Sequence, residues 1–161
     1  MRKSILFISI FLLIGCNEGN QTTSKGGLIE DLSKCNGFDD RKTRNFENNT
    51  SYISYNYKNN ILFLTHYNAK FNCCPKSISA QSTIENNKII IKETENTSSQ
   101  SCDCMCLYDL KIKVNNIISD IYEVSFDEAY GNDEINFTID LDNNTSGTLS
   151  YEREYYPYGI S

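Results

Sequence analysis

The sequence predicts an all-β domain, an antiparallel β-sandwich of about seven to eight strands. Apolar and polar residues alternate with a period of two along most of the chain, and turn-rich stretches separate these segments at regular spacing. The 161 residues include 11 tyrosines and 8 phenylalanines but no tryptophan, a composition compatible with many short strands. The length suits one domain. A small β-barrel is the alternative architecture.

The first 15 residues have the layout of a secretory signal peptide. Arg2 and Lys3 are basic, and a mostly apolar run follows over residues 5–14. This run is about half of the roughly 20 residues that a helix needs to cross a bilayer, so it fits a cleaved signal better than a permanent span. The sequence therefore predicts that residues 1–15 are removed during export.

The sequence LIGC at residues 13–16 resembles the lipobox of bacterial lipoproteins. The resemblance implies that Cys16 receives a diacylglyceryl group on its sulfur, that the chain is cut before it, and that the new amino group is acylated. Two or more acyl chains hold a protein stably at a membrane, at about 0.8 kcal/mol per buried CH₂. Asn17 instead of aspartate follows the cysteine, which by analogy with lipoprotein sorting in Gram-negative bacteria favours the outer membrane. The alternative is a cleaved secretory signal with an incidental cysteine, or a membrane-buried start.

The chain downstream divides into a tether and one domain. Residues 16–27 are polar, contain glycine and lack an apolar period, which predicts a lipidated flexible tether. A single β-rich domain outside the cytoplasm is predicted over residues 28–161. At most one short N-terminal helix is expected, over residues 28–34, with Asn36-Gly37 as its stop signal.

The negative charge of the chain predicts that it is a poor nucleic-acid binder, so no nucleic-acid partner is expected. The formal net charge is −6, and loss of Arg2 and Lys3 with the signal peptide would make it more negative. Affinity for nucleic acid depends on neutralising phosphates with Lys and Arg, and in this chain Asp and Glu outnumber these residues. The lipid on Cys16, and not the charge of the surface, is therefore expected to hold the protein at the membrane.

The individual strands follow from the alternation and from the turn signals between them. Asn59-Asn60 predicts a turn, and Asn86-Asn87 predicts a hairpin between the strands on either side. The even-numbered residues from Cys104 to Val114 share one face of their strand. The predicted strands are 52–57, 61–72, 77–84, 88–94, 104–114, 120–126, 135–141 and 147–153.

Six cysteines remain once Cys16 carries lipid, and an even number in an exported protein is typical of a disulfide framework. On a strand, cysteines two residues apart have Cα atoms about 6.6 Å apart, near the upper limit for a disulfide. A bond between adjacent cysteines would distort the peptide that joins them, so bridges between segments are favoured. The preferred arrangement bonds Cys73 and Cys74 each to one cysteine of the 102–106 row and leaves the third for Cys35, with the connectivity open. The six are Cys35, Cys73, Cys74, Cys102, Cys104 and Cys106.

The cysteines also allow a metal site or free redox thiols. His66 is the only histidine, and with the thiolates of Cys73, Cys74, Cys102, Cys104 and Cys106 it offers soft ligands for Zn²⁺ or Cu⁺. However, the C-x₂-C pairs of ordinary zinc sites are absent, and the row from Cys102 to Cys106 would span about 13 Å on a strand, too far for one ion. The alternative for His66 is a hydrogen-bonded structural role.

Two further features are candidates for binding. The turn over residues 127–134 carries Asp127 and Glu128 before Gly131 and further oxygen ligands after it, so it forms either an oxygen cage for Ca²⁺ or a solvated acidic loop. The closing segment is rich in aromatic rings that either stack on a sugar or partner protein or pack against the domain. The candidate binding residues there are Tyr155, Tyr156 and Tyr158.

The stretches HYNAKFNCCP (66–75), CDCMCLYDLKIKV (102–114) and YEREYYPY (151–158) together resemble a group of small lipoproteins from Bacteroidota. The resemblance implies a β-rich exported domain without a specified activity. The chain has no serine nucleophile elbow, zincin helix, phosphate loop or dinucleotide fingerprint. We therefore expect a non-enzymatic envelope lipoprotein without a cofactor, which binds an envelope protein or a glycan or assists an envelope assembly. A metal-binding or thiol-redox lipoprotein that uses the cysteines and His66 is the alternative.

Overall fold

A computed structural model describes residues 22–28, 50–97, 102, 104–131 and 135–152. Cys16, Cys35, the tail tyrosines 155, 156 and 158, and the helix candidate beyond Leu28 lie outside these residues. Within the described ranges no helix is long and apolar enough to cross a bilayer. These ranges contain nine strands: β1 (Thr22–Leu28), β2 (Thr50–Lys58), β3 (Ile61–Asn72), β4 (Pro75–Glu85), β5 (Lys88–Thr97), β6 (Met105–Asn115), β7 (Ile121–Asp127), β8 (Ile135–Asp140) and β9 (Ser146–Glu152).

The strands form two sheets that face each other across one core. One sheet has the order β1-β4-β5-β7-β8 and the other has the order β6-β3-β2-β9. Edge strand β1 of the first sheet lies beside edge strand β6 of the second. The predicted all-β sandwich is therefore confirmed, and the described residues form two sheets and not a closed barrel. The largest fully buried side chains come from both sheets and include Leu62, Leu64, Phe71, Ile89, Ile91, Tyr108, Leu110 and Phe126.

All eight predicted strands are present, with bounds that shift by a few residues at most. On β6 the predicted inward face is buried from Cys106 to Val114. The Asn59-Asn60 turn has φ angles of 54° and 61°, and the Asn86-Asn87 turn has 49° and 59°. Positive φ at both central residues is the geometry of two-residue hairpins, and asparagine tolerates it better than most residues.

Strand β1 lies in the segment predicted to be a flexible tether. It pairs antiparallel with β4 from Thr22 opposite Ile84 to Leu28 opposite Ser79. An edge strand is held by backbone hydrogen bonds along one side, so it does not need the apolar alternation from which the other strands were predicted. Residues 22–27 therefore belong to the sheet, and the domain begins no later than Thr22.

One strand pair also departs from the predicted antiparallel arrangement. Strands β5 and β7 are parallel, with Lys88 opposite Glu123 and Lys92 opposite Asp127. Strand β6 between them belongs to the other sheet. The chain thus crosses to the opposite layer and returns, and this crossover supplies the long connection that parallel neighbours require.

A β-bulge in β3 reverses which residues face the core. His66 pairs with Leu110 and Ala69 pairs with Tyr108, so Tyr67 and Asn68 together stand opposite one residue of β6. Asn68 has a φ of 62°, and its Nδ2 donates a hydrogen bond to the carbonyl oxygen of Thr50 at 3.1 Å. The inward positions are even-numbered up to His66 and odd-numbered from Ala69 onward. Because a slip of one residue exchanges the two faces of a strand, the bulge fits both halves of β3 to one core.

The bulge gives a prediction for stability. Asn68→Ala should lower the free energy of unfolding by about 1–3 kcal/mol, because alanine is strained at positive φ and the hydrogen bond to Thr50 is lost. Asn68→Gly loses the same hydrogen bond without the strain, so it should be more stable than Asn68→Ala. Urea unfolding measures both. An alanine variant as stable as the glycine variant would show that the backbone at this position is not strained.

Candidate functional site

The inner face of β5 changes from apolar to acidic along its length, and an inward glutamate also follows the end of β7. On β5 the inward series Ile89, Ile91 continues with Glu93, which is 3% exposed. On β7 the inward residue Phe126 is followed two positions later by Glu128, whose side chain is 6% exposed. His66 faces them from β3 of the other sheet and is 0% exposed. These three side chains, His66, Glu93 and Glu128, are called the polar cluster below.

The imidazole of His66 lies between two carboxylates. Its Nδ1 is 2.8 Å from Oε1 of Glu93, and its Nε2 is 3.4 Å from Oε1 of Glu128. The ring of Phe126 meets the imidazole at 5.4 Å with an interplanar angle of 69°. This edge contact and the bond to Glu93 fix the orientation of the imidazole. The first distance is that of a hydrogen bond, whereas the second is longer than the usual N–H···O range.

Gly131 makes room for the inward position of Glu128. A Cβ atom at residue 131 would lie 2.9 Å from Cβ of Glu128 and still closer to its carboxylate. Any side chain larger than hydrogen would therefore displace Glu128 or the turn. Asp127, one residue earlier, points to the opposite face, is exposed and forms an ion pair with Lys92 at 3.6 Å. The described part of the predicted Ca²⁺ turn thus places its two acidic side chains on opposite faces.

Asn72 connects the cysteine segments to Glu95, which follows Glu93 on the inner face of β5. The backbone N–H of Asn72 donates to Oε2 of Glu95 at 2.8 Å. Its side-chain Oδ1 accepts the N–H groups of Cys74 at 2.8 Å and Cys102 at 3.2 Å, and its Nδ2 donates to the carbonyl oxygen of Cys102 at 2.6 Å. Its own carbonyl oxygen accepts the Tyr108 hydroxyl at 3.3 Å. A single buried amide therefore aligns the segments that carry the cysteines.

Cys74 and Cys102 form a disulfide with a Cα–Cα distance of 5.5 Å. This bond is of the predicted kind, between Cys74 and the 102–106 row. Cys106 is also disulfide-bonded. Of the described cysteines, Cys73 and Cys104 are reduced.

The two reduced thiols face each other at the end of the β3–β6 ladder. The backbone N–H of Cys73 donates to the carbonyl oxygen of Cys104 at 3.1 Å. Burial, followed by the hydrogen bond and the charge of Cys104, raises the pKa of the Cys73 thiol to about 12. Burial also raises the pKa of the nearby Tyr108 phenol to about 12, with further contributions from Cys73 and Glu95. Cys104 itself is exposed.

The predicted soft-metal site of His66 with the thiolates is not assembled in the described residues. Two of its thiols are consumed in the Cys74–Cys102 disulfide, and the inner face of β3 directs His66 towards carboxylates of the other sheet. In these ranges, the side chains of His, Cys, Asp and Glu form one group of three whose ligand atoms lie within 4.8 Å of one another, namely the polar cluster. The structure therefore brings His66 together with the carboxylates of Glu93 and Glu128.

Sequence reasoning missed Glu93, Glu95 and Asn72 altogether. A signal was available for Glu93, because it continues the inward period of Ile89 and Ile91 and so places a carboxylate at a core position. An acidic residue at such a position requires a partner and so marks a candidate site. Asn72 gave no such signal, since its role depends on segments that are distant in sequence.

Comparisons of the chain with models of protein families, with curated proteins and with solved structures found no match. The polar cluster supplies an imidazole nitrogen and carboxylate oxygens, which are ligands for divalent cations. The cysteines supply one bonded pair and one reduced pair, which are groups for thiol–disulfide chemistry.

The two reduced thiols should differ in reactivity. The thiolate is the nucleophile, and a pKa of about 12 in place of 9.0 lowers the thiolate fraction of Cys73 at pH 8 about a thousandfold. In protein purified with this pair kept reduced, iodoacetamide should therefore label Cys104 at least about tenfold faster than Cys73, and the labelling rate of Cys73 should still rise above pH 10. Peptide mass spectrometry measures both rates, and in urea the two should converge. Equal rates in the folded protein would contradict the raised pKa.

Proposed function

We propose that the chain is an exported lipoprotein, anchored by acyl groups on Cys16, whose β-sandwich acts at the cell envelope by binding and not by catalysis. The observation that carries the proposal is the Cys74–Cys102 disulfide, because such bonds persist in oxidising compartments outside the cytoplasm. The basic and apolar N-terminal segment and the LIGC sequence support the same placement. We assign it to the outer membrane, and the tyrosines at 155, 156 and 158 to contact with a glycan or an envelope protein.

A disulfide is useful to a domain of this composition. The mean hydropathy of the chain is −0.47 and it has no tryptophan to bury. The bond joins residues separated by 28 positions, and closing a loop of that length contributes about 3–4 kcal/mol in the chain-entropy model. It connects the link between β3 and β4 to the segment before β6, at the end of the β3–β6 ladder. The bond thus stabilises the end of this strand pair.

Lipidation of Cys16 gives a direct test in a bacterial host. The unsubstituted protein should incorporate labelled palmitate and sediment with membranes, whereas Cys16→Ser should lose the label completely and keep its leader, because the acylated sulfur is absent. Cys104→Ser removes an exposed thiol by the same change and should keep label and location. A Cys16→Ser protein that is still labelled and processed would refute the anchor. Soluble protein in the cytoplasm with its leader attached would refute export.

A thiol-redox role is the second candidate, favoured by the reduced pair of Cys73 and Cys104. Asn72 stands opposite Met105, so these cysteines occupy the next facing position of the ladder. Cα atoms at such positions are about 4.5–5.5 Å apart, within the range for a disulfide. Oxidation would release two protons and pass two electrons to the disulfide of a thiol oxidase. A permanent Cys73–Cys104 disulfide would further stabilise the domain, whereas a reversible one would transfer electrons.

A redox titration distinguishes a structural Cys73–Cys104 disulfide from a redox-active one. We expect the Cys73–Cys104 pair to oxidise and to resist reduction down to about −300 mV, as structural disulfides do. Mass spectrometry after alkylation counts the thiols at each potential, and the Cys73→Ser/Cys104→Ser variant identifies the signal of the pair. Half-reduction between about −120 and −270 mV would instead establish the redox role.

A further inference from the structure

The two ring nitrogens of His66 lie at different distances from their carboxylates, a hydrogen-bond distance at Nδ1 and a longer one at Nε2. A charge-assisted N–H···O bond is about 2.7–2.9 Å long, and Nδ1 to Glu93 at 2.8 Å fits it. Nε2 to Oε1 of Glu128 is 3.4 Å. Two ligands that each lie about 2.1 Å from a tetrahedral Zn²⁺ are about 3.4 Å apart. The separation of Nε2 and Glu128 is thus that of two ligands of one ion.

Glu93 gives the imidazole the tautomer that such an ion requires. Its carboxylate accepts a hydrogen bond and donates none, so in a neutral imidazole the proton lies on Nδ1. The lone pair then lies on Nε2, which faces Glu128. Metal-bound histidines commonly donate their other ring N–H to a carboxylate, which fixes the ring and makes the ligating nitrogen more basic. Glu93 is in this position and is therefore a positioning residue.

The charge of the cluster also favours a divalent cation. The side chains of His66 and Glu93 are 0% and 1% exposed and that of Glu128 is 6% exposed. With a neutral imidazole these three groups carry two negative charges, and an imidazolium would still leave one. Burying a charge costs several kcal/mol per ion, and a nearby opposite charge offsets part of that cost. A dication would bring the three groups to zero net charge.

We propose that His66 Nε2 and the carboxylate of Glu128 bind a divalent first-row transition metal ion, with Glu93 orienting the imidazole. A nitrogen ligand with carboxylate oxygens suits Zn²⁺, Mn²⁺ or Fe²⁺, whereas Ca²⁺ prefers oxygen alone and Cu⁺ prefers sulfur. The ion would join β3 of one sheet to the segment after β7 of the other.

Zn²⁺ is the probe, and the single histidine makes the readout specific. The full chain carrying Cys73→Ser and Cys104→Ser, so that no reduced thiol of this pair binds zinc, is freed of metal with a chelator. Nitrogen-15 NMR of His66 should show the Nδ1–H tautomer at pH 7 and a shift of Nε2 that saturates at one Zn²⁺ per chain. Equilibrium dialysis should give the same stoichiometry.

Three variants locate the ion. Glu128→Gln removes an anionic ligand and should weaken Zn²⁺ binding at least tenfold, and Glu93→Gln should weaken it about 10–100-fold, as the loss of such partners does. Asp127→Asn is the matched control, an exposed acidic neighbour, and should bind like the parent. Circular dichroism verifies folding of each variant.

Two results would overturn the proposal. A doubly protonated His66 at pH 7 whose signals do not respond to Zn²⁺ would identify a structural ion pair without a metal, and this measurement needs no substitution at the site. Glu128→Gln that folds and binds Zn²⁺ like the parent would place the ion elsewhere. Neither result bears on the lipid anchor, which is tested through Cys16.

Discussion

The contact between His66 and Glu93 is the constraint on which the centre of the sandwich depends. It joins the two sheets through groups that are almost fully buried, at 2.8 Å. Removing one partner of such a pair typically costs about 3–5 kcal/mol, because the other is left buried and uncompensated. Strand β3 must therefore keep His66 facing the core while Ala69 and Phe71, in its second half, also face the core. The bulge at Asn68 satisfies both demands at once.

Asn72 shows how the core and the cysteines are coupled. Its backbone and side chain together bind Glu95, Tyr108 and the backbone of the Cys74–Cys102 pair. Half-satisfied buried polar networks are costly, whereas complete ones make a core rigid and specific. These hydrogen bonds hold the segments that carry Cys74 and Cys102 side by side, in addition to the disulfide that joins them. Tyr108 lies close to both the cysteines and Glu95, since Cys73 and Glu95 each add to the rise in its pKa that burial causes.

The strands were predictable from sequence because each depends on local alternation, but their partners were not. Alternation assigns residues to faces, whereas the parallel β5–β7 pair and the edge strand β1 follow from contacts distant in sequence. The bulge at Asn68 could not be predicted for the same reason, because a single asparagine within an alternating stretch looks like an ordinary strand residue. Of the candidate site, sequence indicated His66 and the cysteines, and the inward period of β5 would have indicated Glu93. The role of Asn72 required the structure.

The position of the polar cluster argues for function and not for stability. Burying an aliphatic side chain at an inward position contributes about 1.5–3 kcal/mol, and Glu93 and Glu128 forgo this where Ile89, Ile91 and Phe126 on the same faces do not. A charged residue at a core position where the pattern favours an apolar one commonly belongs to a functional site. Gly131, which leaves the space that Glu128 needs, is a second local adjustment for the same carboxylate. Two independent adjustments, on β5 and in the turn after β7, converge on one imidazole, and stability alone accounts for neither.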